Sequence, residues 1–247
     1  MEMAVQEGDF VRIRYTGRIG GDVFDTTDEE IAKEEDIYNQ MTEYGPVTIR
    51  LGSHHILAGL EEELIGKEVG TEGEVEIPPE KAFGEHDENE VMSFPVTQFR
   101  EKPEPGMRVS IEGREGMVIS VIGRRAVVDF NHPLAGKSVH YTYSIVEKVE
   151  DQAEQIRGLI RIFARRNDID LRITDGTVEL ELPHDIIYDR RWMVWRGDLI
   201  SQVFEYYPEV SKVVMKETFT RPPSTELEPE IEKTETAEME ESGESEE

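Results

Sequence analysis

Apolar and polar side chains alternate along the first readable segment, where Val11, Ile13 and Tyr15 stand against Arg12 and Arg14. A period of two predicts a strand with one buried face. Gly20-Gly21 marks a turn before Val23-Phe24-Asp25, and Val47 to Leu51 alternates again. The acidic, polar stretch 28–45 between them reads as an inserted loop with a short helix. Leu57, Leu60 and Leu64 recur at helical spacing, so a helix is expected from Ile56 to Leu64, capped by Ser53 and stopped by Gly66. Glu74 to Ile77 is one more alternating run, ended by Pro78-Pro79.

Short strands follow at Met107 to Glu112, Gly116 to Ile122 and Arg125 to Phe130, the last two joined at Gly123-Arg124 as a hairpin. Ser138 to Val146 alternates in a phase that can pack with the first strands. After Glu150 the period lengthens. Ile156, Leu159, Ile160 and Phe163 mark an amphipathic helix. Strands at Leu171 to Ile173 and Val178 to Leu182 flank Asp175-Gly176. A second helix from Tyr188 to Tyr206 and a closing strand from Val210 to Phe219 complete an α-β-β-α-β unit.

The chain has 247 residues, which predicts one or two folded units. Its formal charge of −28 argues against general nucleic-acid binding, because such a surface repels phosphate. The absence of cysteine removes disulfides, thiolate metal sites and thiol catalysis. No apolar run has membrane-spanning length, and the acidic start lacks a signal-peptide pattern, so a cytoplasmic protein is expected. From Pro222 onward there are eleven Glu and one Lys, a composition expected to stay disordered. Six histidines show no metal-ligand spacing, and no metal or cofactor is expected.

More specific are Ile13-Arg14-Tyr15-Thr16-Gly17, Val23-Phe24-Asp25, Leu51-Gly52-Ser53, Ile56-Leu57-Ala58-Gly59-Leu60-Glu61 and Ala82-Phe83-Gly84. Their order and spacing over residues 8–86, with a return strand at 137–149, resemble the FKBP-type peptidyl-prolyl cis-trans isomerases. The stretch from Glu85-His86-Asp87-Glu88-Asn89 to Asn131-His132-Pro133-Leu134-Ala135-Gly136 resembles the borders of the flap insertion in the SlyD-like branch, and the added C-terminal unit is similar to the long archaeal members. The resemblance implies an α+β fold, with an antiparallel sheet wrapped on a short helix and a small β-rich domain inserted in the flap. The C-terminal α-β-β-α-β domain and a disordered acidic tail would follow. The expected divisions are 1–86 plus 132–150 for the isomerase domain, 87–131 for the insert, 151–221 for the C-terminal domain and 222–247 for the tail.

By motif position, the resemblance implies a proline pocket of Tyr15, Phe24, Asp25, Val47, Ile49, Ile56, Leu57, Leu60, Phe83 and Tyr141. Phe24, Ile56, Leu60 and Phe83 would grip the ring, the Leu57 N–H would meet a substrate carbonyl, and Asp25 would orient the Tyr15 hydroxyl. Leu60 stands where many members carry Trp, and the flap histidine of single-domain members has no counterpart. On the residues alone, Tyr15 and Phe24 read as core and Asp25 as a cap for the turn that follows. Tyr143 shares a strand face with Tyr141.

The expected function is prolyl isomerisation combined with chaperone activity on unfolded or nascent chains; the alternative is a catalytically weak binding or scaffold protein. Met92, Phe94, Val96 and Phe99 are the expected client-binding face of the insert, with an ordinary small core as the other reading. The expected partners are unfolded or proline-containing chains, with neither nucleic acid nor membrane. Arg157, Arg161 and Arg165 recur every four residues, but residues 151–220 hold thirteen acids against ten bases, so they read as a solvated face. A homodimer through residues 151–220 is expected from Trp192, Trp195, Leu199, Val203 and Phe204, packing of these helices on the first domain being the alternative.

Overall fold

The alternation at the start of the chain forms the strand around which the first sheet is built. In the computed structural model, which describes residues 4–40 and 42–220, β1 (Phe10–Ile19) turns at Gly20-Gly21 into β2 (Asp22–Thr26). Both glycines have positive φ, the region a tight turn needs and other residues avoid. β3 (Val47–Arg50) pairs with the first half of β1 and β2 with the second half. β4 (Glu72–Ile77) lies at the far side of the sheet, beyond the long return strand Val139–Lys148, which pairs with β1 along Val11 to Lys148 and Arg18 to His140. All these pairings are antiparallel.

Two helices belong to this part. α1 (Glu29–Glu34) starts at Asp28, whose carboxylate accepts from the N–H groups of Glu30 and Ile31. α2 (Ala58–Leu64) buries Leu60 and Leu64 completely against Val11, Ile13, Ile49 and Ile145. The helix starts later than the leucine spacing predicts, and Ser53 does not cap it. Leu57 is the N-cap and offers no side-chain acceptor. Instead the buried Glu61 reaches back to accept from the N–H groups of His54 (3.2 Å) and His55 (3.0 Å), tying the preceding turn to the helix.

The second sheet is β5 (Val91–Pro95), β6 (Arg108–Ile111), β7 (Arg114–Ile122) and β8 (Arg125–Asp129), in the order β5-β8-β7-β6. The sequence reading missed β5, which is short and ends in proline. It is an edge strand, the position where a missing N–H is tolerated. Its core has only four buried side chains, Ile111, Val118, Ala126 and Val128. The chain enters and leaves this sheet through one joint. The Asp87 N–H donates to Asn131 Oδ1 (2.9 Å), Asn131 Nδ2 donates to the Asp87 carbonyl (2.9 Å), and the Phe130 N–H donates to the Glu90 carbonyl (3.0 Å). The strand Val139–Lys148 that follows is β9.

The third part runs α3 (Gln152–Ala164), β10 (Asp170–Thr174), β11 (Thr177–Leu182), α4 (Arg190–Tyr206) and β12 (Lys212–Glu217). β10 and β11 form an antiparallel hairpin, while β12 lies parallel to β11 and α4 supplies the crossover that a parallel pair requires. Ile156, Leu159, Ile160 and Phe163 of α3 are all buried, as are Trp192, Leu199 and Val203 of α4; Trp195 and Phe204 stay exposed.

This third part packs on the first sheet of the same chain. Phe10 and Val149 belong to its core. At Gly158 an added Cβ would fall 2.7 Å from Thr48 Cβ, so glycine is what lets α3 lie against β3. Arg12 Nη2 donates to Glu154 (3.1 Å), and the Tyr206 hydroxyl donates to Ser53 Oγ (2.9 Å). Most of the helix surface that motivated a dimer is therefore covered within one chain. The expected disorder from Pro222 onward concerns residues outside those described. Among the described residues, no helix is long and apolar enough to cross a membrane.

His55 bridges the two parts. Its Nδ1 accepts the Arg50 N–H (3.1 Å), which leaves Nε2–H to donate to Gln202 Oε1 (2.9 Å). Burial is the main cause holding its pKa below the usual imidazole value; the Arg50 and His54 charges act in the same direction, while Gln202 and Glu61 oppose them. A depressed folded pKa means that the contribution is complete above the unfolded value of about 6.5 and is lost as pH falls towards the folded value. The melting temperature should fall on acidification from about pH 7 through that window. His55→Gln should flatten this slope; an unchanged slope would show that His55 does not carry it.

Candidate active site

Sheet register brings together side chains from well-separated segments. Between the first sheet and α3 opens a cavity of about 390 Å³, lined on the sheet side by Tyr15, Phe24, Asp25, Val47, Ile49 and Ile56. Phe83 and Tyr141 extend this group as an aromatic cluster. The Phe24 ring meets Phe83 at 5.6 Å and Tyr141 at 5.9 Å, both edge to face, and Tyr15 meets Tyr141 at 5.6 Å. Leu60 and Leu57 are not on the cavity wall: Leu60 is fully buried in the core behind it, and Leu57 packs partly buried against that core. Tyr143 faces elsewhere, donating to Glu63 Oε1 at 2.8 Å; burial and that carboxylate push its pKa up to about 12.

The local sequence explains the cluster. A Cβ at Gly17 would fall 2.8 Å from both the Phe24 and Tyr141 rings, so glycine is what allows them to converge over β1. The β1–β2 register shifts between Gly17 and Arg18, next to the Gly17–Asp25 pair. Tyr15 is held by its backbone: its N–H donates to Thr27 Oγ1 (3.0 Å), and its carbonyl accepts from the Thr27 N–H (3.0 Å). Capping after β2 falls to Asp28, which leaves the Asp25 carboxylate in the cavity.

Burial is also the main electrostatic influence. It raises the Tyr15 pKa well above the phenolic norm, with the Asp25 charge adding to it, so Tyr15 is a neutral hydroxyl donor at neutral pH. Burial raises the Asp25 pKa too, and the Tyr15 hydroxyl and the Arg165 charge oppose that rise. Tyr141 is shifted upward by burial first and Asp25 second.

Several neighbours escaped the sequence reading. The His132 ring stacks on Phe83 at 4.7 Å, with 4° between the planes, so the segment leaving the second sheet supplies a histidine to the aromatic cluster after all. The opposite wall of the cavity carries Arg161, Ile162, Arg165 and Arg191 from α3 and α4. Of the arginine stripe, Arg157 and Arg165 are exposed, Arg157 paired with Glu154 at 2.8 Å, while Arg161 is half-buried. The spacing of four was visible in the sequence; its direction towards β3 depended on Gly158.

The insert residues do not line this cavity. Phe94 and Phe99 pack half-buried around the four-residue core, Val96 is half-buried, and Met92 is exposed. Ile119 and Ile122, not singled out from the sequence, are exposed as well, Ile122 at 73%.

The profile of the FKBP-type peptidyl-prolyl cis-trans isomerase family matches residues 2–98. Profiles described as FKBP26, IF domain, and FKBP26 C-terminal match residues 94–134 and 152–220. The short-type peptidyl-prolyl cis-trans isomerase of Methanocaldococcus jannaschii is 38% identical over 144 residues, 57% of this chain and 92% of its own length. The FKBP-type peptidyl-prolyl cis-trans isomerase SlyD of Haemophilus influenzae is 34% identical over 160 residues, covering 62% of this chain and 77% of that protein. The FKBP-type 16 kDa isomerase of Escherichia coli is 32% identical over 109 residues, 41% of this chain and 73% of its own. With the family profile covering the first four strands of the sheet that carries the aromatic cluster, and relatives matched over 92% and 77% of their own length, the chain belongs to the FKBP-type peptidyl-prolyl cis-trans isomerases.

Proposed function

We propose that the prolyl bond turns in the cavity beside Phe24 and that residues 87–131 hold the client chain meanwhile. The observation carrying the first half is the edge-to-face packing of Phe24 with Phe83 and Tyr141 at the wall of an open cavity. Rotation about a prolyl amide faces a barrier of roughly 18–20 kcal/mol, set by resonance that is strongest in the planar form. An apolar wall that strips water from the imide favours the twisted, less polarised form and lowers that barrier. A thousandfold acceleration needs about 4 kcal/mol. In this reading Phe24, Ile56 and Phe83 hold the ring, and Asp25 orients the Tyr15 hydroxyl by accepting its hydrogen bond. The Leu57 N–H, which has no acceptor among the described hydrogen bonds, meets the substrate carbonyl. Leu60 supports the floor from within the core.

Residues 1–86 with 132–150 then form the catalytic domain, 87–131 the insert and 151–221 the C-terminal domain. The exposed Met92, Ile119 and Ile122 beside half-buried Phe94, Val96 and Phe99 support an apolar client surface on the insert. A client held there is present at raised effective concentration at the cavity. Unfolded and nascent chains are the clients that display such apolar, proline-containing segments. On α4, Met193, Val194 and Phe204 form an exposed apolar stripe with Gly197, opposite the buried Trp192, Leu199 and Val203. Two chains pairing through residues 151–220 would use this stripe.

Phe83→Ala and Gly17→Ala should each lower kcat/KM on a short Xaa-Pro peptide by about tenfold or more, a loss of at least ~1.4 kcal/mol of barrier lowering, with far-UV circular dichroism unchanged. Full activity in both would rule out this cavity. Replacing 88–130 by a short linker between Asp87 and Asn131, already joined by hydrogen bonds, should keep tetrapeptide activity within about twofold yet slow catalysed refolding of a proline-limited protein by about tenfold or more. Equal losses on both substrates would make the insert purely structural. Light scattering should give a dimer mass that Val194→Glu reduces to a monomer; a monomeric parent protein would remove the pairing.

A further inference from the structure

The wall contributed by α3 and α4 carries three guanidinium groups, and they are unequally satisfied. Arg161 is fully engaged, donating to the carbonyls of Pro46 (2.9 Å), Glu43 (2.8 Å) and Tyr44 (3.0 Å), with the Glu43 carboxylate 3.7 Å away. Arg191 donates from Nη2 to the Ile162 carbonyl (2.8 Å), but its Nε is buried with no hydrogen-bond partner. Arg165, at the left-handed C-cap of α3, has no side-chain hydrogen bond or ion pair among the described residues. Burial first, and the Arg165 charge second, lower the Arg191 pKa against the opposing charge of Asp189, so the two cations stand close enough to repel.

This arrangement runs against the composition of the chain. With 55 acidic residues against 27 basic ones, carboxylates are plentiful, yet among the described residues neither arginine has one within ion-pair distance, Asp25 and Asp189 acting on them only from further away. The carboxylates lining the cavity are Asp25 and Glu43, and Glu43 already serves Arg161. Three guanidiniums against two carboxylates leave one positive charge in excess where the fold otherwise gathers apolar rings. A buried donor without an acceptor is costly, and a guanidinium fork is shaped to take a carboxylate from two nitrogens.

We propose that Arg165 and Arg191 form a carboxylate subsite, so that the cavity selects prolyl segments with Asp or Glu adjacent to the proline. The acid's oxygens meet the arginines on the helix wall while the ring lies against Phe24 on the sheet wall. The C-terminal part of the chain thereby sets substrate preference for a reaction carried out by the first sheet. This inference rests on the proposed prolyl site, and its failure is distinguishable from failure of that site. If Arg165 served only to offset Asp25, its removal would change all peptides alike rather than their ratio.

The test uses the full-length protein and exchange NMR on blocked peptides with Glu, Gln or Leu placed immediately before or immediately after proline. At low ionic strength the Glu peptide should exceed its Gln counterpart in kcat/KM by roughly fivefold in at least one position, the ratio expected of a partly exposed ion pair. That ratio should shrink towards one at about 0.5 M salt. Arg165→Gln, at an exposed position, should bring it to about one, and Arg191→Gln provides a second reading. A ratio of one in the parent protein at both positions overturns the subsite, as does a ratio that survives both substitutions. If Phe83→Ala leaves every peptide's rate unchanged, it is the prolyl site that has been misplaced.

Discussion

The two-faced character of β1 is the constraint on which the first and third parts of the molecule depend. Val11, Ile13 and Tyr15 project into the core that backs the aromatic cluster, while Phe10 enters the core of the C-terminal helices and Arg12 pairs with Glu154 on α3. A slip of one residue would exchange these sets, placing Arg12 in the apolar core and Val11 against Glu154. The long pairing with β9 on one edge, with β2 and β3 sharing the other, fixes that register.

From that register follows a cavity with two unlike walls. The sheet side sets Phe24, Val47, Ile49 and Ile56 among Tyr15, Asp25, Thr26 and Thr48; the helix side carries Arg161, Arg165 and Arg191 beside Ile162. Their separation is set where α3 touches β3, at a residue without a side chain. Arg161 then pins the loop 43–46 by three carbonyl contacts, so the rim of the cavity is held by the C-terminal helix rather than by the sheet's own turns. A part of the chain that sequence alone leaves as an appendage is thus part of the candidate site's boundary.

Legibility followed range. The strands of the first sheet, the α3 face and the hairpin at Gly123-Arg124 were readable because period and turn chemistry are local properties. The convergence of Tyr15, Phe24, Asp25 and Phe83 was readable only as a family pattern, since no local rule distinguishes a site tyrosine from a core one. Ser53 misled because the serine signal at a helix start was overridden by Glu61, an acceptor reaching back from inside the helix. β5 was missed because a strand of five residues ending in proline has little pattern to show. His132 and the arginines of the helix wall were unreadable for a different reason: their role depends on which part of the chain packs against which, and that is decided by contacts over a hundred residues apart, such as Thr48 with Gly158.

The second sheet rests on four buried side chains, against twelve in the core of the first. Stability is not shared evenly in such a molecule. A sheet with so small a core belongs to the kind of unit that opens below the cost of global unfolding, while the paired segments at Asp87 and Asn131 keep its ends together. Each opening uncovers Phe94, Phe99 and Met107 in addition to what the folded insert already shows. Its surface is then a population of states, and any ligand that prefers one of them redistributes the rest by mass action. On the proposed client-holding role, the breadth of apolar sequences such a module accepts is governed by how cheaply it melts.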